Sequence, residues 1–421
     1  SFTYYCGFKV NSGEYKLMGL APYGEPRFTK IICKNLIDIK EDGSFKLNMK
    51  YFKFHRGLRM ISSEFIKLFG EKPRDPSAEI SQFYMDVAAS IQKVTEEIIL
   101  KIAKELKRKT GKKNLCLAGG VALNCVANGK VLEDAGFENI WVQPAAGDAG
   151  NALGCALAFI YDYKKKYRNI TPLDSMKSAY LGPQFSDKKI EEFLYDLGIK
   201  FQKFDHNQLS KITAQKLSEG SVVGWFQGRM EFGPRALGAR SILADPRSEK
   251  MQKNLNLKVK HRESFRPFAP SVLREDLSKW FDLNVDSPYM LLVANINYDK
   301  KIEMTDKEKK LFGIDKLNIK RSSIPAVTHI DYTARVQTVT KDNNSRFYDL
   351  ISKFKEKTGC PVIINTSFNV RGEPIVNTPS DAFNCFMGTE LDYLVIGNCI
   401  LDKKKQKYSV KKDYKKQFEL D

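Results

Sequence analysis

The sequence predicts an α/β unit followed by a mixed α+β domain. Three observations carry that expectation. Between about residues 75 and 158, helical and strand-like patterns alternate, with glycine turns at the strand ends. Beyond a lysine-rich stretch, short strand-like segments are scattered among amphipathic helices. The length of 421 residues exceeds what one ordinary core organises, so two domains are expected.

Residues 13–24 contain Gly13, Gly19, Pro22 and Gly24 and read as turn-rich, without a strand or helix of their own. A long helix follows. Asp75-Pro76 offers an N-cap and an N1 proline. Ile80, Tyr84, Val87, Ile91, Val94 and Ile98 keep one apolar face to the neighbourhood of Leu106, and Gly111 ends the helix. A strand at Asn114–Leu117 runs into Gly119-Gly120-Val121-Ala122-Leu123-Asn124, then a helix over about 122–132 and a strand over 140–143. The turn at 144–150 leads into a small-residue helix through Gly154 and Ala158. Ligand sites of open α/β sheets fall at such strand-end turns.

The stretch 164–168, with Pro172 beyond, is the expected linker, dividing residues 1–168 from 175–421. In the second part Ser186 caps a helix carrying Ile190, Phe193, Leu194 and Leu197, and Gly198 stops it. Another helix spans about 208–219, ended by Gly220. Strands are expected at 222–226, 241–243, 290–293 and 362–364. Apart from the lysine-rich tail there is no low-complexity segment, and there is no internal repeat.

Hydrophobic content of 42% and aromatic content of 11% are globular values. No apolar run is long enough to span a bilayer and no signal segment is evident, so the chain reads as soluble and cytoplasmic, with no membrane partner. Its eight cysteines form no CxxC pair. Cys6, Cys116, Cys125, Cys155, Cys360, Cys385 and Cys399 read as reduced core thiols. The formal charge of +19 lies partly in the tail, at residues 403–405, Lys407, Lys411, Lys412, Lys415 and Lys416. The runs at 107–113 and 164–166 fall on helix faces. Such charge is ordinarily solvated surface, and no nucleic-acid module accompanies it, so nucleic acid is not the expected main partner.

Chemistry concentrates elsewhere. Lys260-His261-Arg262 places two cations one residue apart, which on an extended segment point the same way. Ser367-Phe368-Asn369 does the same with a hydroxyl and an amide. Together they suit a triphosphate held beside a small carbonyl acid, although either pair alone reads as a surface cluster. Arg229, Arg235 and Arg240 stand among Gly, Pro, Phe and Ala in a glycine-punctuated loop, and Arg266, Arg335 and Arg371 add candidates for the same chemistry. Arginine forks match phosphate oxygens, so these six read as a concave anion site. Gly119 and Gly120 after a strand, with Asn124 a turn later, could cradle a phosphate or nucleoside, or form a tight turn without a ligand. Asp148, between Gly147 and Gly150, could be a metal ligand, a helix N-cap or both. His55, His206, His261 and His329 form no zinc pattern and assemble no serine triad. His329, near Asp331 and Thr333, could hydrogen-bond a ligand, but reads first as a satisfied structural histidine.

The segments assemble into a family resemblance. Residues 14–24 (EYKLMGLAPYG), 117–124 (LAGGVALN), 144–150 (PAAGDAG), 232–238 (FGPRALG), 265–270 (FRPFAP) and 365–369 (NTSFN) look like those of O-carbamoyltransferases acting on nodulation factors and antibiotics. The resemblance implies a partial actin/hexokinase-like domain over 1–168, followed by a threonylcarbamoyl-adenylate-synthase-like domain over 175–421. Lys260, Arg262, Ser367 and Asn369 match the second domain's KxR and SxN signatures. There ATP, with Mg2+, and carbamoyl phosphate would give carbamoyl adenylate, which Gly119, Gly120 and Asn124 would contact in the first domain. The carbamoyl group would pass to a hydroxyl of a small acceptor such as a sugar, an antibiotic or another natural product. Fe2+ or a similar divalent metal would sit in the complete transfer site, with Asp148 matching its aspartate ligand. The family's histidine ligands lie upstream of residues 14–24. The sequence is thus expected to be a truncated product, a gene fragment or one subunit of a split enzyme, which an upstream polypeptide would complete. Two alternatives stay open: a tRNA-modifying carbamoyl-adenylate enzyme, and a non-catalytic nucleotide-binding remnant.

Overall fold

A computed structural model of the chain describes residues 1–170, 174–407 and 414–418, so Pro172 of the expected linker and Lys411 and Lys412 of the tail lie outside the described residues. The strands in chain order are β1 (Ile37–Ile39), β2 (Phe45–Leu47), β3 (Asn114–Leu117), β4 (Asn139–Val142), β5 (Gln202–Lys203), β6 (Val223–Phe226), β7 (Arg240–Ala244), β8 (Ala269–Leu273), β9 (Leu292–Asn295), β10 (Thr333–Val339), β11 (Val362–Ser367), β12 (Tyr393–Ile396) and β13 (Cys399–Asp402). The fold is mixed α/β, as expected. β3 and β4 form a parallel pair, β1 and β2 a hairpin, and the other strands one nine-stranded sheet in the order β5-β13-β12-β6-β7-β11-β8-β10-β9.

That sheet is mixed, parallel at β12/β6 and β10/β8 and antiparallel elsewhere. Every residue of β6, β7 and β8 is buried, the signature of strands covered on both faces. Helices His206–Ser218, Ser345–Thr358 and Pro379–Gly388 pack on the sheet and complete its core around Trp225, Phe226, Phe347 and Phe354. Strands β1, β2, β5, β8, β10, β12 and β13 were not among those expected. β10 alternates apolar and polar residues, but its polar side is satisfied internally: Ser271 Oγ donates to Gln337 Oε1 at 2.6 Å and Asn365 Nδ2 donates to the same oxygen at 2.9 Å.

Residues 13–24 are helical, contrary to the turn-rich reading. Gly13 caps an α-helix at Glu14–Leu20, and Pro22 sits in the first turn of the 3-10 helix Ala21–Tyr23 that continues it. Proline is acceptable there because its missing N–H has no intrahelical partner to lose. The long helix is Gln82–Thr110 with Ser81 at its N-cap. Asp75 instead accepts from Ser77 N at 2.8 Å in a local turn. Gly111, at φ 62°, ends the helix as expected. A Cβ on Gly24 would stand 2.1 Å from the Met85 carbonyl oxygen, so only glycine lets the 14–24 segment lie against this helix. All eight cysteines are free, but Cys116 and Cys155 are exposed rather than core residues.

The two halves share apolar contacts. Phe265 and Ile330 belong to the N-terminal core cluster around Tyr5, Leu20, Tyr23 and Phe65. Tyr23 donates its hydroxyl to Phe265 O at 2.9 Å, and Asn128 Nδ2 donates to Leu291 O at 3.0 Å. A Cβ on Gly129 would fall 2.4 Å from Val293 O. These contacts fix the walls of the cleft between the halves. No helix among the described residues is long and apolar enough to cross a membrane.

Candidate active site

A cleft of about 1560 Å³ runs between the halves. It reaches from the end of β11 to the turns after β3 and β4. At one end, β11 delivers Ser367 at its last position and Asn369 just beyond. Lys260 comes from a different geometry than expected. It follows the π-helical turn Leu255–Val259 in helical conformation, and His261 is left-handed at φ 50°, so the segment is not extended. The predicted partners nevertheless meet. Lys260 Nζ donates to Asn369 Oδ1 at 2.8 Å, to Asn369 O at 3.0 Å, to Ser367 Oγ at 3.2 Å and to the Ser367 carbonyl. Ser367 Oγ donates to Asn369 Oδ1 at 2.7 Å, and Asn369 Nδ2 to Glu373 O at 2.6 Å. Burial, with Arg262 and Arg266 nearby, pushes the Lys260 ammonium well below its usual value.

Arg262 is held by Asn256, whose Oδ1 accepts from its Nε at 2.7 Å, and its guanidinium lies 4.8 Å over Phe268. Arg266 lies 4.7 Å over Tyr15 and 3.6 Å from Glu263. Arg371 approaches Glu263 at 3.4 Å, and its backbone N–H donates to Lys260 O. Arg235 and Arg335 complete the lining. The Nε of each is buried without a protein partner. Burial and the charge of Arg335 bring Arg235 down to about 9, and burial also lowers Arg335. Such a group of guanidiniums, few of them answered by carboxylates, suits a phosphate-bearing ligand.

Two of the six predicted anion-site arginines lie elsewhere. Arg240 is fully buried, donates to the carbonyls of Gln227, Gly228, Ala239 and Pro183, and stacks 3.6 Å from the Phe226 ring. It braces the 227–240 loop from inside. Arg229 is exposed and donates to Gly182 O at 3.0 Å. Neither lines the cleft.

At the other end, Gly120 and Asn124 line the cleft, while Gly119, at φ 95°, shapes the turn behind them. Asn124 is largely committed. Its Oδ1 caps the helix Cys125–Asp134 by accepting from Ala127 N at 3.1 Å, and its Nδ2 donates to Gln92 Oε1 at 3.0 Å. Gln92 in turn donates to Glu96 Oε1 at 2.9 Å, and Lys130 pairs with Glu96. This ladder fixes the Asn124 amide and leaves it one N–H for a ligand. Asp148 lines the cleft at the N-cap position of Ala149–Ala158, but its exposed carboxylate makes no capping hydrogen bond. Among the described residues no three His, Cys, Asp or Glu side chains come together to hold a metal. A lone carboxylate does not make a transition-metal site, so these residues do not by themselves fit iron.

The cleft also holds Tyr15 and Arg321, which are not among the candidate site residues of the sequence, and His329, which reads there first as structural. Arg321 is 2% exposed and leaves Nε and Nη2 without protein partners. Its surroundings, Lys320-Arg321-Ser322, read like ordinary surface charge. His329 carries a local signal, since Asp331 and Thr333 follow at spacings that permit a relay.

Two sequence-family models match the chain: the carbamoyltransferase N-terminus over residues 1–157 and the carbamoyltransferase C-terminus over residues 214–403. The uncharacterized protein sll1178 of Synechocystis sp. is 52% identical over all of this chain and 69% of its own length. Nodulation protein NolNO of Sinorhizobium fredii is 37% identical over 93% of this chain and 53% of its own. The 3'-hydroxymethylcephem-O-carbamoyltransferase of Streptomyces clavuligerus is 33% identical over 68% of this chain and 48% of its own. The chain thus spans between about half and about two thirds of these relatives. A structure of full-length HypF in its phosphate- and nucleotide-bound form aligns at TM-score 0.28 and 15% identity, covering 63% of this chain and 36% of that one. At that level the likeness carries no argument.

Proposed function

The chain belongs to the carbamoyltransferase family, and from that premise we propose that it activates carbamoyl phosphate with ATP as carbamoyl adenylate for transfer to a hydroxyl. The observation that carries the reading is one continuous cleft with two chemically distinct ends. The cationic end is the activation site. Arg235, Arg262, Arg266, Arg335 and Arg371 bind the phosphates of ATP, which enters with Mg2+, and of carbamoyl phosphate. Lys260, held by Ser367 and Asn369, faces the α-phosphate. Charge on the departing pyrophosphate grows as the carbamate oxygen attacks phosphorus, and fixed cations stabilise that growth more than they stabilise the ground state.

The end at Gly120, Asn124 and Asp148 receives the adenylate for transfer, in a first unit arranged as in actin and hexokinase. There the acceptor oxygen bonds to the carbamoyl carbon and AMP leaves. The acceptor is a small hydroxyl compound, a class suggested by the cephem carbamoyltransferase relative. Asp148 belongs to no group of three or more metal-ligating side chains among the described residues, so no step of the transfer is assigned to a metal here.

The test is product identity. With labelled carbamoyl phosphate and ATP, wild-type protein should yield a labelled species of carbamoyl adenylate mass together with pyrophosphate. ATP consumption that gives ADP, or a label found only in released carbamate, would refute the assignment.

A further inference from the structure

His329 sits on the turn before β10 with its side chain in the cleft. Its Nδ1 lies 3.0 Å from Thr333 Oγ1, which lies 2.7 Å from Asp331 Oδ1. A threonine hydroxyl has one proton, and a carboxylate only accepts. The hydroxyl proton therefore goes to Asp331, and the imidazole must donate from Nδ1. That tautomer leaves the Nε2 lone pair bare, and among the described residues no protein group meets it.

The turn is built to hold this arrangement. His329 N donates to Thr333 O at 2.8 Å and Tyr332 N to His329 O at 3.1 Å. Tyr332 is left-handed at φ 64°, an unfavourable conformation for a bulky residue. Its hydroxyl is tied to Ile302 O at 3.1 Å and Met304 N at 3.3 Å. Strain kept in place by surrounding bonds is a mark of functional turns. Burial, together with the guanidiniums of Arg335 and Arg321, holds the imidazole below its usual value against the pull of Asp331. Both arginines carry buried, unpartnered nitrogens. A bare imidazole nitrogen thus faces a region prepared for phosphate.

The stoichiometry of activation calls for a phosphoryl group to be removed before adenylation, a step that a general base would assist. Carbamoyl adenylate joins the carbamoyl oxygen to the α-phosphorus of ATP, so the phosphoryl group already on that oxygen must leave first. Water is the simplest agent. Its oxygen bonds to the phosphorus of carbamoyl phosphate, the bridging O–P bond breaks, and the electron pair stays on the carbamate oxygen. The products are carbamate and inorganic phosphate. The carbamate oxygen then attacks the α-phosphorus and releases pyrophosphate.

We propose that His329 is the general base for that first cleavage, taking the water proton on Nε2 while Arg335 and Arg321 hold the phosphoryl oxygens and Thr333 and Asp331 fix the ring. The captured proton leaves with the phosphate. This inference rests on the carbamoyl adenylate reading above, and it makes the cleft a site of two successive phosphorus displacements.

A donor bypass separates the two ideas. Carbamate forms spontaneously in ammonium bicarbonate solution and needs no cleavage. ATP–pyrophosphate exchange is measured for wild type, His329→Gln and Thr333→Val, with carbamoyl phosphate or with ammonium carbamate. Wild type should exchange with both donors. His329→Gln should lose about 10²–10⁴-fold with carbamoyl phosphate, the usual contribution of a general base, and keep near-wild-type exchange with carbamate. Thr333→Val should fall between them with carbamoyl phosphate and shift the acid limb of its pH profile, a change that merely structural damage would not confine to one donor. Undiminished exchange by His329→Gln with carbamoyl phosphate would overturn the proposal, as would loss with both donors in a folded variant. Wild-type protein inactive with both donors would remove the adenylate reading itself, and this proposal with it.

Discussion

Replacing Lys260 with alanine removes one cation that touches four acceptor atoms on Ser367 and Asn369. Two effects follow, and they can be separated. In the free protein, buried oxygens lose their donor, which costs about 1–3 kcal/mol of stability. The same change relieves the unfavourable burial of an ammonium beside Arg262 and Arg266, so the net loss should fall at the lower end of that range. In the transition state, the charge developing on the leaving pyrophosphate loses a preorganised donor, worth about 2.7–4 kcal/mol or 10²–10³-fold in rate. The assay pairs thermal unfolding with the initial rate of carbamoyl adenylate formation. The expected result is a melting temperature within several degrees of wild type and a rate reduced at least 10²-fold. Lys260→Arg should not rescue, because a planar fork does not fit the single point where Asn369 Oδ1, Ser367 Oγ and two carbonyls converge. A folded Lys260→Ala protein with near-normal adenylate formation would refute the role assigned to this cluster.

Arg235→Lys and Arg335→Lys should each weaken ATP or carbamoyl phosphate binding by about tenfold, roughly 1.4 kcal/mol, as read by calorimetry, whereas Arg229→Lys, outside the cleft, should leave affinity unchanged. Arg240→Met should instead lower the melting temperature sharply, because four loop carbonyls lose their donor. Tyr414→Phe removes the buried hydroxyl that donates to Glu373. It should cost about 1–3 kcal/mol in a denaturant titration and loosen the loop whose Glu373 carbonyl positions Asn369. His329, with its folded pKa lowered by burial, binds a proton less readily when folded than when unfolded. Its contribution to stability is therefore complete above the unfolded value of about 6.5 and is lost as pH falls below it. His329→Gln should flatten that part of the stability–pH curve, and an unchanged curve would contradict a lowered imidazole pKa in the folded protein.

Much of the fold was legible because local signals agreed with tertiary ones. Ser186 and Gly198 bracket a helix as read, and Gly111 takes the left-handed conformation that ends the long one. The 13–24 segment misled because its glycines and proline look like turn residues. Their actual work is to cap a short helix and to let it approach Met85 closely. Strand β8 was hidden by Pro270, and β10 by polar residues whose partners lie on other strands. At the site, Lys260 and Arg262 reach the cleft without the extended segment that their spacing suggests. A left-handed His261, not an extended segment, sets their relation. Residue type alone did not distinguish Arg235, which lines the cleft, from Arg240, which braces the loop beside it. That difference arises only when the chain closes around Gln227 and Pro183. For His329 the spacing of Asp331 and Thr333 is visible in the sequence, but the left-handed turn at Tyr332 that aligns them is not.

In the proposed reaction the cationic end of the cleft joins carbamate to the α-phosphorus of ATP. Exchange of labelled pyrophosphate into ATP, measured with and without carbamoyl phosphate and in the absence of any acceptor, tests it most directly. The expected result is exchange that depends on carbamoyl phosphate and disappears in Lys260→Ala. Exchange independent of carbamoyl phosphate, or none by a folded wild-type protein that binds ATP, would contradict it.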